Sequence, residues 1–116
     1  MKLKEIELRI IHLPLVRPFR TSFGTQTSRE VLMVKVTNEN GTVGWAECVA
    51  MSEPLYSPEY VIGCLDLMKR FLIPALKSKQ EISAEDVPTV LKPFLGGQMA
   101  KAALETGILD VQLRDQ

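Results

Sequence analysis

The sequence is poor in the residues that most often form metal centres and nucleophilic sites. Its 116 residues include one histidine and two cysteines. No group of histidines and cysteines has the spacing of a metal site, and none forms a disulfide framework. Cys48 and Cys64 are isolated thiols, and this usage favours reduced core residues of a cytosolic protein over a disulfide or a reactive thiol.

Long charged runs and long apolar runs are also missing. The 14 basic and 14 acidic residues are dispersed, so there is no clustered basic face for nucleic acid and no basic amphipathic helix for a membrane surface. No apolar run reaches the roughly 18 residues of a membrane span, and the charged N-terminus is unlike a signal peptide. The length predicts one domain, residues 1–116, and the hydrophobic content of 46% suffices for a modest core.

The first half of the sequence has the pattern of β-strands. Alternating apolar residues predict strands over 5–15, 31–37 and 42–49. The apolar phase of the first strand switches between Ile10 and Ile11, which indicates either a bulge or burial on both faces.

The predicted turn and third strand carry two further signals. Asn40-Gly41 favours a tight hairpin between the second and third strands, because both residue types tolerate positive φ. Gly44, Ala46 and Cys48 share one face of the third strand, and their small side chains would let another element approach closely.

The second half predicts three helices. Ser57-Pro58 is typical of a helix start, and Pro74 is expected to kink or end that helix. A capping box over 83–86 opens a second helix, and Gly96-Gly97 ends it. A third helix is predicted from about Gln98 to the end. The fold class is therefore α+β: a three-stranded antiparallel meander followed by a three-helix bundle.

The third helix is apolar around most of its circumference. Such a helix is normally buried on two sides, whereas a three-stranded meander covers only one. We therefore interpret the chain as a domain separated from a larger body. The alternative is a small domain with a frayed terminal helix.

No complete catalytic group is found among the individual polar residues. His12 lies in an aliphatic strand and is interpreted as structural. Glu47 and Asp110 are expected to be acids paired with the backbone or with arginine.

Segment 14–26, which lies between two strands, attracts more interest. We predict that it is a long binding loop or lid rather than a tight hairpin. Its Phe19 and Phe23 are predicted to line an apolar pocket with Met51 and Tyr56 of a second loop, 50–56. Methionine suits such a wall because its thioether adapts to varied ligand shapes. The alternative is that these side chains cap the domain's own core.

Three segments together resemble a known family: Phe-Arg-Thr-Ser-Phe-Gly-Thr-Gln over 19–26, Gly-Trp-Ala-Glu-Cys over 44–48, and Met-Ala-Lys-Ala-Ala-Leu-Glu over 99–105. The chain is similar to the N-terminal capping domain of the enolase superfamily, most of all in the o-succinylbenzoate synthase / N-acylamino acid racemase group. Ala46 and residues 106–108 depart from the usual family pattern, and both departures look tolerable for the fold.

The resemblance implies a cap on a C-terminal barrel domain that lies beyond this chain. That barrel would supply the Mg²⁺ ligands and two lysines that remove a proton α to a carboxylate. The outcome would be dehydration to o-succinylbenzoate in menaquinone synthesis, racemisation of N-acyl or N-succinyl amino acids, or both. The cap would bind no metal and would be inactive alone.

The resemblance also implies roles for the two loops. Phe19, Phe23, Met51 and Tyr56 would contact the distal part of a small carboxylate substrate. Arg20, Thr21 and Ser22 would belong to a mobile lid that excludes water. The competing hypotheses are a free-standing α+β module for a small ligand or a protein, and a structural domain whose third helix docks on another chain. An exposed docking face would also permit a homo-oligomer.

Overall fold

The computed structural model describes residues 1–22 and 24–116. Three antiparallel strands form one sheet in the order β1-β2-β3: β1 (Leu3–Thr21), β2 (Gly24–Asn38) and β3 (Val43–Cys48). Helical structure follows in three stretches. The α+β prediction of a meander followed by three helices is confirmed.

The long binding loop predicted over 14–26 is wrong as secondary structure. β1 and β2 continue as a ladder through the pairs Phe19↔Gln26, Arg20↔Thr25 and Thr21↔Gly24. The pairing is irregular only between Pro14 and Phe19. β1 is an edge strand, where a residue without an N–H costs no ladder hydrogen bond. The prolines that suggested a loop are therefore tolerated in a strand.

The switch in apolar phase between Ile10 and Ile11 of β1 is not caused by a bulge. Pairing runs without a break from Glu5↔Thr37 to Pro14↔Ser28. Ile10 is partly buried, whereas Ile11 and Leu13 lie on the opposite face of the sheet and are exposed by 38% and 46%. The bulge alternative is thus wrong at this position, and the outer face of β1 is covered only in part.

The first helical stretch is continuous but not uniform. α1 (Val61–Leu67) passes through a π-helical turn (Met68–Leu72) into α2 (Ile73–Lys77). The predicted start at Ser57 is wrong, since the helix begins at Val61 and Tyr60 at the N-cap position gives no side-chain hydrogen bond. Pro74 lies inside the helix rather than ending it. The wider π turn immediately before Pro74 accommodates a residue that has no N–H to donate.

The second helical stretch opens as predicted. A 3₁₀ turn (Ala84–Asp86) leads into the short α3 (Val87–Leu91). The backbone N–H of Ser83 donates to the Asp86 carboxylate at 2.9 Å, which is one half of the capping box. Gly96 and Gly97 have positive φ, and Gly97 occupies the N-cap position of the last helix.

The last helix, α4 (Gln98–Arg114), crosses the inner face of the sheet at β3. Small residues permit the close approach: a Cβ added at Gly44 would lie 2.6 Å from the backbone nitrogen of Val111 and 2.9 Å from the carbonyl oxygen of Gly107. The predicted close contact on the small face of β3 is confirmed. The core lies between this face and the helices, with Leu32, Val34, Leu104 and Ile108 fully buried.

The opposite side of α4 is not covered by the sheet. Ala102, Thr106, Leu109 and Leu113 follow one another at helical spacing and are all exposed, Leu109 by 40% and Leu113 by 56%. We call this set the α4 stripe. Leu95, just before α4, is also 92% exposed. Within the part of the chain that the structure describes, α4 is therefore buried on one side only, and the larger body predicted to cover the other side remains a prediction.

Candidate functional site

A cleft opens where the end of the β1–β2 hairpin meets the segment after β3. Its volume is about 260 Å³. The hairpin contributes Thr21, Gly24, Thr25 and Gln26, and the segment after β3 contributes Met51, Ser52, Glu53 and Leu55. The structure thus brings together the two segments that the sequence singled out, although one of them is a hairpin and not a loop.

The segment after β3 is held in place by the start of α1. Met51 forms an isolated parallel bridge with Tyr60, and the backbone N–H of Val61 donates to the Met51 carbonyl at 2.8 Å. The N–H of Leu55 donates to the Glu53 carbonyl at 2.8 Å, which turns the backbone sharply. These bonds hold the segment so that Met51 is half-buried, while the next two residues, Ser52 and Glu53, are exposed.

The hairpin side is fixed by its ladder. The hydroxyl of Thr21 donates to the carbonyl of Gly24 at 3.3 Å. Gly24 has φ of 139°, which strains any residue with a Cβ. The pairs Phe19↔Gln26 and Thr21↔Gly24 place the side chains of Phe19, Thr21 and Gln26 on one face of the ladder, because directly opposite residues share a face and alternate residues repeat it.

The residues predicted from the sequence are distributed unevenly around this cleft. Met51 and Thr21 line it. Phe19 is 58% exposed on the same hairpin face, next to the wall, while Tyr56 is 71% exposed and follows the lining segment. Arg20 and Ser22 are exposed and do not line the cleft. Phe23 lies outside the described residues. The substrate and lid roles given to all seven stay predictions.

Sequence reasoning missed several lining residues, although it marked both segments that carry them. Gln26, Thr25, Ser52, Glu53 and Leu55 gave no signal of their own. Hydroxyl, amide and carboxylate side chains in a surface segment are common and look like ordinary solvated positions. Only the folded hairpin end and the turn at 53–55 bring these residues around one cleft.

The wall of the cleft is chemically simple. Met51 and Leu55 are apolar, Thr21, Thr25 and Ser52 carry hydroxyls, and Gln26 carries an amide. Among the lining residues that the structure describes, only Glu53 carries a formal charge. Such a wall can bind a small ligand that is partly apolar and partly polar.

The other acids considered in the sequence have structural partners. Glu47 forms an ion pair with Arg29. The Asp110 carboxylate accepts the backbone N–H of Trp45 at 2.8 Å and Nε of Arg114 at 3.0 Å. The hydrogen bond from Trp45 and the neighbouring Arg114 lower the pKa of Asp110. The interpretation of both residues as paired structural acids is confirmed.

The histidine and the thiols also have no catalytic setting. His12 is exposed on β1, with Nε2 3.8 Å from the Glu30 carboxylate. Cys48 and Cys64 are buried and not joined in a disulfide, as predicted. The hydrogen bond with Cys48 and the burial of the site raise the pKa of the Cys64 thiol. The same hydrogen bond lowers the pKa of Cys48. Both thiols are nevertheless buried, and buried structural cysteines are inert.

The resemblance implies magnesium in the C-terminal barrel domain, and the residues of this chain would not hold the ion. Across residues 1–22 and 24–116, no three histidine, cysteine, aspartate or glutamate side chains converge as a metal ion would require. Over the same residues, no helix combines the length and apolar character needed to cross a bilayer.

Comparison with known proteins gives consistent results. The N-terminal domain model of the mandelate racemase / muconate lactonizing enzyme family matches residues 5–116. An N-succinylamino acid racemase from Amycolatopsis is 49% identical over 98% of this chain and 31% of its own length. The o-succinylbenzoate synthase from Bacillus subtilis is 32% identical over 96% of this chain and 30% of its own length.

A solved structure agrees with the sequence matches. An enolase-superfamily member from Enterococcus faecalis has a TM-score of 0.90 at 33% identity, with 100% of this chain and 31% of that chain covered. This chain thus spans about a third of the length of the relatives it matches. The chain belongs to the mandelate racemase / muconate lactonizing enzyme family of the enolase superfamily and represents its N-terminal domain.

Proposed function

We propose that this chain is the substrate-specificity cap of a longer, Mg²⁺-dependent enzyme that removes a proton α to a carboxylate. The full-length protein would act as an o-succinylbenzoate synthase, as an N-acylamino acid racemase, or as both. The relatives named for these two activities, at 32% and 49% identity, support this class of reaction. Magnesium and the proton-transferring lysines would belong to the C-terminal barrel domain, and this domain alone would be inactive.

The observation that carries the proposal is the cleft between the hairpin end and the 51–55 segment. It is formed by side chains that are otherwise uncommitted to the core, and it combines an apolar surface from Met51 and Leu55 with polar groups around it. Phe19 lies on the same hairpin face. In the proposed enzyme this cleft would enclose the distal part of the substrate, while the reacting carbon sits on the barrel. Closing the cap would exclude water from the proton transfer.

The α4 stripe supports the proposed association with a barrel domain. An exposed row of apolar side chains on a helix that otherwise packs tightly is a surface that favours burial against a partner. A free-standing module would be expected to cover its last helix, and here Leu109 and Leu113 are exposed. The stripe therefore favours the cap over the self-contained binding module.

The experiment compares three samples: the full-length protein, this chain alone, and this chain mixed with a separately expressed remainder of the protein. Proton exchange at Cα of N-succinyl amino acids in D₂O, followed by NMR, reports racemisation. A parallel absorbance assay reports o-succinylbenzoate formation. We expect activity in the first sample, none in the second and partial recovery in the third. A full-length protein without either activity would contradict the proposal.

Variants of the full-length protein test whether the hairpin contributes to substrate binding. Replacing Phe19 or Phe23 by alanine should lower kcat/KM by about 1–3 kcal/mol in transition-state free energy, as for loss of a pocket contact. Unchanged kinetics in both variants would refute the assignment of the hairpin to substrate binding, even if the overall reaction is the proposed one.

A further inference from the structure

One acidic side chain connects the last helix to the segment that carries the cleft. The carboxylate of Glu59 accepts the backbone N–H of Met99 at 2.9 Å and that of Ala100 at 3.2 Å. Both amides belong to the first turn of α4, whose N-cap residue, Gly97, has no side chain that could cap them. The helix dipole also favours a carboxylate at this end of α4. Glu59 therefore takes the place of an N-cap side chain from about 40 residues away.

Further contacts fix the same residue against the start of α4. Glu59 is partly buried, and Sγ of Cys64 in α1 lies 3.7 Å from its Oε1. The backbone N–H of Glu59 donates to the hydroxyl of Ser57 at 3.2 Å. That hydroxyl lies 3.8 Å from Sδ of Met99. Residues 57–59 are thus held at the N-terminal turn of α4 through both backbone and side-chain contacts.

The residues directly after Glu59 hold the wall of the cleft. Tyr60 forms the parallel bridge with Met51, and the N–H of Val61 donates to the Met51 carbonyl at 2.8 Å. Met51 lines the cleft. Residues 52–56, which lie between the two held ends, are all exposed. A segment with so little buried surface has low local stability, so its position depends on the residues that hold its ends.

We propose that Glu59 is a positioning residue for substrate binding, which anchors the 51–60 segment to α4 and so holds Met51 where the distal part of the substrate binds. This inference rests on the proposed function, because it assumes that the cleft contacts substrate. α4 also carries the α4 stripe, which would face the barrel domain. The anchor would therefore give the cleft wall a defined position relative to the reacting groups on the barrel. Capping of α4 alone would not require any effect on substrate binding.

The test is a double-mutant cycle in the full-length protein. Proton exchange at Cα of N-succinyl-L-norleucine, whose unbranched apolar side chain suits the Met51 and Leu55 wall, gives kcat and KM. If the protein forms only o-succinylbenzoate, both constants are measured for that reaction instead. Glu59→Ala should raise KM about ten-fold and change kcat by less than about two-fold, because the lost binding is shared by the ground state and the transition state.

The second arm of the cycle introduces Glu59→Ala into a Met51→Ala background. There the same replacement should raise KM by less than about three-fold, because the main contact that Glu59 positions is already absent. A loss of folded protein alone would lower the apparent kcat in both backgrounds and would leave KM unchanged. The coupling between the two residues in KM therefore separates positioning from stability.

Two further variants complete the design. Asp86 accepts the N–H of Ser83 at 2.9 Å in a capping box outside the cleft, so Asp86→Ala should lower stability and leave KM at the wild-type value. Glu59→Gln keeps one oxygen that can accept an N–H, and its KM should lie between those of wild type and Glu59→Ala. If Glu59→Ala does not fold in the full-length protein, the cycle is measured with Glu59→Gln.

The outcomes distinguish this inference from the proposed function. A wild-type KM in Glu59→Ala would overturn the inference while leaving the proposed function intact. An equal rise in KM in both backgrounds, or the same rise in Asp86→Ala, would do so too. A full-length wild-type protein that catalyses neither reaction would reject the proposed function, and the inference with it.

Discussion

The two ends of the β1–β2 ladder differ in what surrounds them. At one end, Leu32 and Val34 are fully buried under α4 and the other helices. At the other end, Phe19 is largely exposed and Val16 is completely exposed. One pair of strands thus forms a core at its base and an open cleft wall at its tip. Because the tip contributes little to the core, its side chains can vary without a large effect on folding.

The buried part of the sheet, where β3 packs on α4, should be sensitive to added volume, and this gives the largest expected effect. In Gly44→Ala the new methyl group would clash with backbone atoms of α4, 2.6 Å from the Val111 nitrogen. Backbone cannot move aside as a side chain can, so we expect a loss of about 3 kcal/mol in the free energy of unfolding. Urea denaturation of the chain measures it.

The matched control is Gly107→Ala on the facing helix. Its Cβ would lie 2.9 Å from Cγ2 of Val36, a buried methyl group that must give way by a few tenths of an ångström, whereas at Gly44 the clash is with backbone. Alanine also favours the helix by about 1 kcal/mol over glycine. The net change should therefore stay within about 1 kcal/mol. Equal losses at the two glycines would show that α4 and β3 are not in the close contact described.

A smaller effect is expected where a distant carboxylate caps α4. Glu59 accepts the N–H of Met99 at 2.9 Å and that of Ala100 at 3.2 Å. Glu59→Ala leaves these amides without their partner and should cost about 1–2 kcal/mol in the free energy of unfolding. Glu5→Ala, at an exposed strand position, should change it by less than about 0.5 kcal/mol. Similar losses in the free energy of unfolding for the two variants would show that Glu59 does not stabilise α4.

The smallest effect is a pH dependence at the edge of the sheet. The pKa of Asp110 is lowered in the folded state, chiefly by the Trp45 N–H. The stabilisation is therefore present above the unfolded pKa of about 3.9 and is lost as pH falls through the lower folded value. Wild type should lose more stability than Asp110→Asn between about pH 5 and pH 3. Urea denaturation at the two pH values measures these losses. An equal loss in wild type and in Asp110→Asn would contradict the prediction.

The same division explains which parts of the fold could be predicted. The small face of β3 and the capping box at Ser83 each depend on residues that are close together in the sequence. The local sequence pattern was therefore sufficient to predict them. The start of the first helix could not be predicted in this way, because Ser57 and Pro58 give the same signal whether or not a helix follows directly. Pro14 and Pro18 suggested a loop, and only the sheet order reveals that they lie on an edge strand.

The candidate site was predictable only at the level of segments. The sequence marked both segments, and the structure shows them facing one cleft. Tyr56 and Arg20 were chosen for their chemistry, yet they do not line it, while Glu53 and Gln26 do. The capping role of Glu59 could not be predicted from the sequence, because its partners are about 40 residues away along the chain. Such choices depend on tertiary pairing rather than on residue type.

We claim that the cleft contacts substrate, and Met51 is the residue to replace because it is both predicted from the sequence and found in the wall. In the full-length protein, Met51→Ala should lower kcat/KM by about 1–3 kcal/mol. Val16→Ala, completely exposed on the same hairpin and outside the cleft, should match wild type. Wild-type kinetics in Met51→Ala would contradict the claim.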